Sequence, residues 1–538
     1  MDSLSQQERH LSNSSLRCIF VFLGMGTLFC YNAFVSCTDY FNALNPSKEN
    51  VSGQMVTFQL TTMFIATIAL LPFSTLKRQD KGSEHRIGSH GSNLAFLAKV
   101  MHIVDLSSPA KRILYGFTFT FIFLFAYLLL PPSNLTSSTL NLFSTFVGIA
   151  DATSQSGLYV LAANYSQGNP LCDEDEGGHE NRNGSKPTYT ASATLGAALS
   201  GFIVSALRLI TRSMFDTTTL AGLRKGADLL MWFAFIISFL LVGAAIVMMR
   251  DLQCRARNAC MRSTPSFEIQ MQDERGIGQA NDDDNDNIRS GVIHQYREGA
   301  QIECDDVSPM HGDDVTKQSS RIQMLGNIYR SAFLATWKPI LSAFLNFFIT
   351  LSLFPGVIVD IPSSGNDRSL GNWLPIVLIT VFNGADCLGR YILSFESMAP
   401  FQLLVARREL CATYLDEQDE QYDESRVKGH VTLKYYSCLV WIPTFGRIVF
   451  FPLLAMCMLP SGRPRIHSDI LSCIIVFLFG LSSGFIHCAN FTIAPTLVNS
   501  EEGKNAVSLL LLLAIYSGLT LGAFFGLFVE KVIRNIDG

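Results

Sequence analysis

The sequence predicts an all-α protein that crosses a membrane many times. Three observations lead there. Eleven segments each carry the run of about 20 mostly apolar residues that a spanning helix needs: 16–40, 53–76, 111–131, 138–165, 188–211, 226–250, 333–358, 372–395, 434–459, 468–491 and 506–530. Of the 538 residues, 48% are hydrophobic and only 16% charged, where soluble proteins carry about 25% charged residues. The chain also holds 40 Phe, a load of large apolar side chains suited to a lipid-facing surface. Mean hydropathy is only +0.27, because long polar stretches dilute the apolar blocks.

The polar stretch 1–15 reads as a cytoplasmic tail. The apolar run after it is too long for a cleaved signal and lacks a clear small-residue cleavage site. Segments 138–165 and 188–211 are rich in Ser, Thr, Ala and Gly. That composition favours close helix packing in a membrane, so both are expected in the interior. Residues 251–332 are acidic and Asn-rich, with DDDNDN at 282–287, and are expected to be a largely disordered cytoplasmic loop. It divides the chain into a bundle of six helices (16–250) and one of five (333–538). A second acidic connection, 166–187, reads as a solvated cytoplasmic loop.

Orientation follows from Lys and Arg near the helix ends. The 77–112 connection holds Lys77, Arg78, Lys81, Arg86, Lys99, Lys111 and Arg112, and 396–433 holds Arg407, Arg408, Arg426 and Lys428. The 41–52, 132–137 and 359–371 connections hold only Lys48 and Arg368. The N-terminus is therefore expected in the cytoplasm and the C-terminus outside. Asn50 and Asn134 open glycosylation sequons in outside loops. Asn50 is the better acceptor, because Asn134 lies too close to the membrane.

Several function classes drop out. The net charge of −5 comes with no basic stripe, so no nucleic-acid partner is expected. The 13 Cys are scattered, without metal-ligand spacing. No HExxH, GxSxG, Walker A or Rossmann pattern stands in a usable context. An enzyme is not expected, and neither is a cofactor or metal.

What remains is a set of polar residues inside apolar runs. A charge at mid-bilayer costs at least ~2.5–3.5 kcal/mol on insertion scales, and such residues mark pathways by default. In NWLPIVLITVFNGADCLGRYIL (372–393), Asp386 and Arg390 share one helix face at i, i+4. Two readings stay open: an ion pair that holds the fold, or a polar patch on a substrate cavity. In the second, Asp386 accepts from hydroxyls and Arg390 offers a planar fork of donors, a match for the vicinal hydroxyls of a sugar. Asn383 lies one turn earlier on that face. Asp151 and Gln155 repeat the spacing in the fourth segment. Gln155 suits a nucleobase edge, and Asp151 suits proton carriage or an arginine partner; helix–helix hydrogen bonding explains both equally. Arg208, Lys338, Arg447, Glu501 and Glu502 lie near helix ends, where snorkelling or gate pairing accounts for them. His487 is expected to be a hydrogen-bonded structural histidine, with a proton relay as the alternative. Pro355, Pro375, Pro452 and Pro495 are expected to interrupt helices along a cavity.

Four motifs then converge. FNGADCLGR (382–390) resembles the eighth-helix signature F-N-x-x-D-x-x-G-R of the equilibrative nucleoside transporter family. GMGTLFCYNAFVSCTDYF (24–41) resembles its first helix, GRIVFFPLLAMC (446–457) its ninth, and TLSLFPGVIVD (350–360) the end of its seventh. GLYVLAANY and LRLITRS…GLRKGADL (207–229) resemble the plant and protist branches. The resemblance spans nearly all the membrane segments and excludes both acidic loops.

It implies eleven helices in a 6+5 arrangement similar to the major facilitator fold, and facilitated diffusion of nucleosides such as adenosine and uridine by alternating access. It matches Asp386 and Arg390 to ribose-binding positions and Gln155 to a base-contacting one. Leu28 and Leu519 match apolar cavity positions, Asn32 and Asn383 polar positions of the motifs, and Thr61 a second-helix cavity position. Tyr31 stands where the family usually has Trp, and still offers a ring to stack on a base. Cys30 replaces Pro, and 166–187 is longer than the usual connection. These departures bear on base selectivity and gating.

The expected protein is a monomeric nucleoside carrier embedded in the lipid bilayer of the plasma membrane, with a vacuolar or other endomembrane address as the alternative. Coupling to protons stays open, with Asp151 and Asp386 as the carriers. Two rivals are a nucleobase or other small-solute carrier on the same fold, and a non-transporting receptor or scaffold.

Overall fold

A computed structural model describes residues 12–45, 51–75, 108–166, 189–216, 218–263, 313–364, 370–394, 440–459, 464–498 and 500–537. Contacts gather residues 11–251 and 325–538 into one unit, and residues 1–10 and 252–324 into another. The site described below lies in the first.

The described residues form helices joined by short non-helical connections. The first half contains α1 (Asn13–Ser36), α2 (Thr38–Leu44), α3 (Val51–Thr75), α4 (Pro109–Leu129), α5 (Ser137–Ser166), α6 (Tyr189–Met214) and α7 (Leu220–Ser263). The second contains α8 (Asp313–Leu353), α9 (Gly356–Val359), α10 (Leu374–Ser394), α11 (Ile442–Gly446), α12 (Phe450–Met458), α13 (Asp469–Ile493) and α14 (Glu501–Asp537). Among the described residues, nine helices are long and apolar enough to cross a membrane.

The other two predicted spans are the informative ones. Segment 138–165 is helical as α5, but too polar to count as a span by composition. Its polarity faces inward: from Ala150 to Ala163 every residue but Thr153 is buried. Segment 434–459 is described only from residue 440, where α11, a 3₁₀ turn at Arg447–Val449 and α12 follow one another. Lipid-facing character shows elsewhere, in Phe119, Ile122 and Phe125 of α4 and Phe233, Ile236 and Phe239 of α7, all exposed. An apolar belt of that kind marks a membrane-contact surface.

The expected loop 251–332 is helical at both ends, since α7 runs on to Ser263 and α8 begins at Asp313. Good helix formers such as Leu, Gln, Arg and Ala in 252–262 extend α7 past its apolar run. The loop 166–187 is described only at Ser166, and Asn50, the expected glycosylation site, lies outside the described residues.

Of the four prolines, Pro355 separates α8 from α9 and Pro495 sits in a closing 3₁₀ turn (Ala494–Leu497). Pro375 and Pro452 fall instead in the first turns of α10 and α12, where the missing N–H has no intrahelical partner to lose. A bend the sequence reading passed over is in α8, where Thr336 leaves helical geometry (φ −123°, ψ 16°) three residues before Pro339. The ring of Pro339 removes one i→i−4 bond and crowds the preceding turn.

Small residues set the tightest approaches. On α1 and α6, Gly24 faces the Ala193 carbonyl and Gly196 faces that of Val21; on α10 and α13, Gly389 faces the Leu481 carbonyl and Gly484 that of Asp386. A β-carbon at any of the four would overlap backbone. The halves meet along two seams: α6 packs against α10 and α13, and α14 against α3 and α5. The seam between α6 and α10 is where the predicted charges lie.

Candidate functional site

Asp386 and Arg390 are both buried on α10. Arg390 Nη2 lies 2.7 Å from Asp386 Oδ2. The other arm crosses the seam, Nη1 donating to the Thr194 carbonyl of α6 at 2.8 Å. Nε has no partner. Helical spacing makes the pair, and the long guanidinium then bridges the two halves. Before Asp386 on the same helix, Asn383 Nδ2 donates to Ser205 Oγ of α6 at 2.6 Å. One helix further, Asn32 Nδ2 of α1 donates to Ser200 Oγ at 2.8 Å. Arg390, Asn383 and Asn32 thus all attach to α6, and Asp386 joins them through Arg390.

A second group sits on the first half alone. Gln155 Nε2 donates to the Thr27 carbonyl of α1 at 3.3 Å. Asp151 accepts from Gln59 Nε2 of α3 at 3.1 Å. Of the alternatives the sequence left open for Asp151, the structure shows helix–helix hydrogen bonding, with Gln59 as the buried polar neighbour on α3. Tyr31 and Leu28 on α1, Thr61 on α3 and Leu519 on α14 are half-buried. No hydrogen bond joins these four to the ion pair among the described residues.

Tyr159, one turn after Gln155, reaches from the first half to the second. Its ring stacks on Phe491 of α13 at 4.4 Å. For three residues that the sequence reading named, the surroundings differ from those expected. Arg447 does not snorkel: it is 1% exposed, donates to the Phe479 carbonyl, Ser482 and Thr350 at 2.7–2.8 Å, and lies over the Phe479 ring. Arg208 is buried too and pairs with Asp39 of α2. His487 is not the hydrogen-bonded residue expected. It packs between Phe347 and Phe491, each 5.0 Å away, and neither ring nitrogen has a partner. Asn346 Oδ1 and Tyr516 Oη are likewise buried without a partner.

Buried polar groups are normally satisfied. Arg390 Nε, both nitrogens of His487, Asn346 Oδ1 and Tyr516 Oη are among the buried side-chain atoms without a partner in the described residues, on α8, α10, α13 and α14. Each has the capacity to hydrogen-bond a polar solute that reaches it. Among the described residues no cluster of side chains suits a metal ion.

The fold and site together define a polytopic helical membrane protein with a polar centre at the seam of its two halves. No family model matches the chain. It is similar to equilibrative nucleotide transporter 7 of Arabidopsis thaliana, 23% identical over 94% of both chains. Human equilibrative nucleoside transporter 4 is 28% identical over 38% of this chain and 30% of its own length. Nucleoside transporter 2 of Leishmania donovani is 27% identical over 39% of this chain and 34% of its own. The matches to the human and Leishmania proteins thus span about a third of those relatives. Among solved structures, a point mutant of the nucleoside transporter NupG aligns over 97% of this chain and 100% of its own, at 12% identity and a TM-score of 0.39. A D-xylose–proton symporter aligns over 95% and 89%, at 8% identity and a TM-score of 0.46. At these scores neither likeness supports a particular helix arrangement. The curated relatives are transporters rather than enzymes, and the resemblance drawn from the motifs is to the group they belong to.

Proposed function

We propose that the protein carries nucleosides across a membrane by alternating access, its two halves rocking about the seam. The observation that carries this is the buried Asp386–Arg390 pair, whose arginine spans both halves and keeps one donor free. A ribose entering there replaces the Thr194 carbonyl as acceptor for Arg390 and offers hydroxyls to Asp386. Gln155 exchanges its bond to the Thr27 carbonyl for a base edge, and Tyr31 stacks on the ring. Asn32 and Asn383 hold α6 to α1 and α10, while Leu28, Thr61 and Leu519 wall the path. Eleven spans in a 6+5 order, with a cytoplasmic N-terminus and an outside C-terminus, fit this reading.

Equilibrative operation needs no ion. If protons are coupled, Asp151 is the better carrier, because its partner is a neutral amide whereas Asp386 is held by a cation.

The test is uptake of labelled adenosine and uridine by cells without nucleoside transport of their own, at acidic and neutral external pH. Saturable uptake blocked by either nucleoside but not by adenine is the expected result. Competition by adenine alone shifts the substrate to nucleobases. No flux in correctly inserted protein refutes the carrier reading.

A further inference from the structure

Arg447 is a buried guanidinium of the second half that the site at the seam does not use. It stands in the 3₁₀ turn between α11 and α12. Its bonds go to neutral acceptors on two helices: the Phe479 carbonyl and Ser482 Oγ of α13, and Thr350 Oγ1 of α8. No salt bridge joins it to an acid among the described residues. Burying a charge without a counter-ion is costly, and apolar packing would join the same helices without that cost. The position therefore asks for something that only this side chain supplies.

Two chains of contact lead from Arg447 to Asp386. The first runs through rings. The guanidinium lies over the Phe479 ring, 4.4 Å from its centroid, and Phe479 meets Phe382 of α10 at 5.5 Å. Phe382 lies four residues before Asp386, on the same helix face. The second chain runs through backbone. Arg447 grips α13 at Phe479 and Ser482, and that stretch also carries Gly480 and Gly484. Gly480 faces the Phe382 carbonyl and Gly484 the Asp386 carbonyl, each so closely that a β-carbon would overlap it. From α8, Thr350 Oγ1 stands 3.4 Å from Ser483 Oγ, and Asn346 Nδ2 donates to the Ser483 carbonyl at 3.4 Å. Residues 479–484 are thus held on one side by Arg447 and α8, and press on α10 with the other. The planar fork of arginine suits this task. One nitrogen meets a carbonyl and a hydroxyl on α13 while the other meets a hydroxyl on α8, an arrangement that a single ammonium does not reproduce.

We propose that Arg447 is a positioning residue for the site at the seam. It holds residues 479–484 of α13 against α10, and so fixes where Asp386 presents its carboxylate, without touching the solute. This role rests on the reading of Asp386 as the acceptor of the ribose hydroxyls.

The parent, Arg447→Gln, Arg447→Lys and Asp386→Asn are purified, melted in detergent and assayed in proteoliposomes. The solutes are adenosine and 2′,3′-dideoxyadenosine, which lacks both ribose hydroxyls. The parent should prefer adenosine, and Asp386→Asn should lose that preference. Arg447→Gln should raise KM for adenosine about tenfold and leave KM for the dideoxy analogue within about twofold, with kcat little changed. Arg447→Lys, which keeps the charge but not the fork, should fall between Arg447→Gln and the parent. In the double variant Asp386→Asn, Arg447→Gln the losses should not add. If Arg447→Gln does not fold, Phe479→Leu, which removes the ring between Arg447 and Phe382, takes its place and should show the same selective loss. Equal rises in KM for both solutes, or a preference lost only in Asp386→Asn, would make Arg447 a structural tie and overturn the positioning role. A parental preference in Asp386→Asn itself would refute the ribose reading, and the positioning role with it.

Discussion

The sharpest prediction separates the two readings of the Asp386–Arg390 pair. Asp386→Asn removes the charged acceptor that Arg390 Nη2 meets at 2.7 Å. Arg390 is 5% exposed and keeps its bond to the neutral Thr194 carbonyl. Breaking one side of a buried pair costs about 3–5 kcal/mol, so this variant should melt well below the parent. The double variant Asp386→Asn, Arg390→Gln has no uncompensated charge. Most of the cost of breaking a buried pair belongs to the uncompensated charge left behind, so the double variant should recover most of the loss. Its transport should not recover. Each lost charge-assisted hydrogen bond to a ribose hydroxyl is worth about 1.5–3 kcal/mol, which is roughly ten- to hundredfold in uptake efficiency. Both proteins are purified, melted in detergent and assayed in proteoliposomes with labelled adenosine. A double variant that regains both stability and parental uptake would refute the ribose role and leave the pair a structural tie.

Three further outcomes follow. Gln155→Ala loses one hydrogen bond, to the Thr27 carbonyl or to a base, worth about 0.5–1.5 kcal/mol; the adenosine-to-uridine KM ratio should move about two- to tenfold, and an unmoved ratio removes Gln155 from base recognition. His487→Leu exchanges an unpartnered buried imidazole for an apolar side chain, so it should leave stability unchanged or raised while uptake falls; a lower melting temperature with normal uptake would return His487 to the structural role the sequence suggested. Arg212 donates to the Asn372 carbonyl at 3.0 Å and lies over the Trp373 ring, joining α6 to the turn before α10. Arg212→Ala should loosen that end of the seam, raising thiol-reagent labelling of a cysteine placed at Ser205, and unchanged labelling would show that the contact does not gate access.

How far the sequence could be read depended on how many helices a feature needed. Asp386 and Arg390 were legible because both lie on one helix, where a four-residue spacing is a distance. The same holds for the apolar spans, and for the inward polarity of α5, whose Ser and Gly content matched its burial. Features that need two helices were not legible. Asp151 required knowing that Gln59 of α3 is its neighbour. Arg447 looked like a helix-end cation because its acceptors, Thr350, Phe479 and Ser482, belong to other helices. His487 was visible as a residue, but its lack of partners is a property of α8 and α13 together.

That division bears on the proposed mechanism. The residues matched by motif, Asp386, Arg390 and Gln155, each bond within the protein to a backbone carbonyl or to one another, with only Arg390 Nε left over. His487, Asn346 and Tyr516, which no motif matched, each keep at least one buried polar atom that bonds to nothing. A carrier needs both kinds. Self-satisfied groups keep the empty site from holding bare charges in a low-dielectric core. Unsatisfied ones reward the solute with bonds that no internal partner competes for. Because exchanging one bond for another gives little net energy, most of the binding affinity is expected from the second set and most of the selectivity from the first. Asn346→Leu and Tyr516→Phe should therefore raise KM for adenosine and uridine alike, by about two- to tenfold each, with their ratio unmoved. A selective loss of one nucleoside in either variant would reverse that assignment.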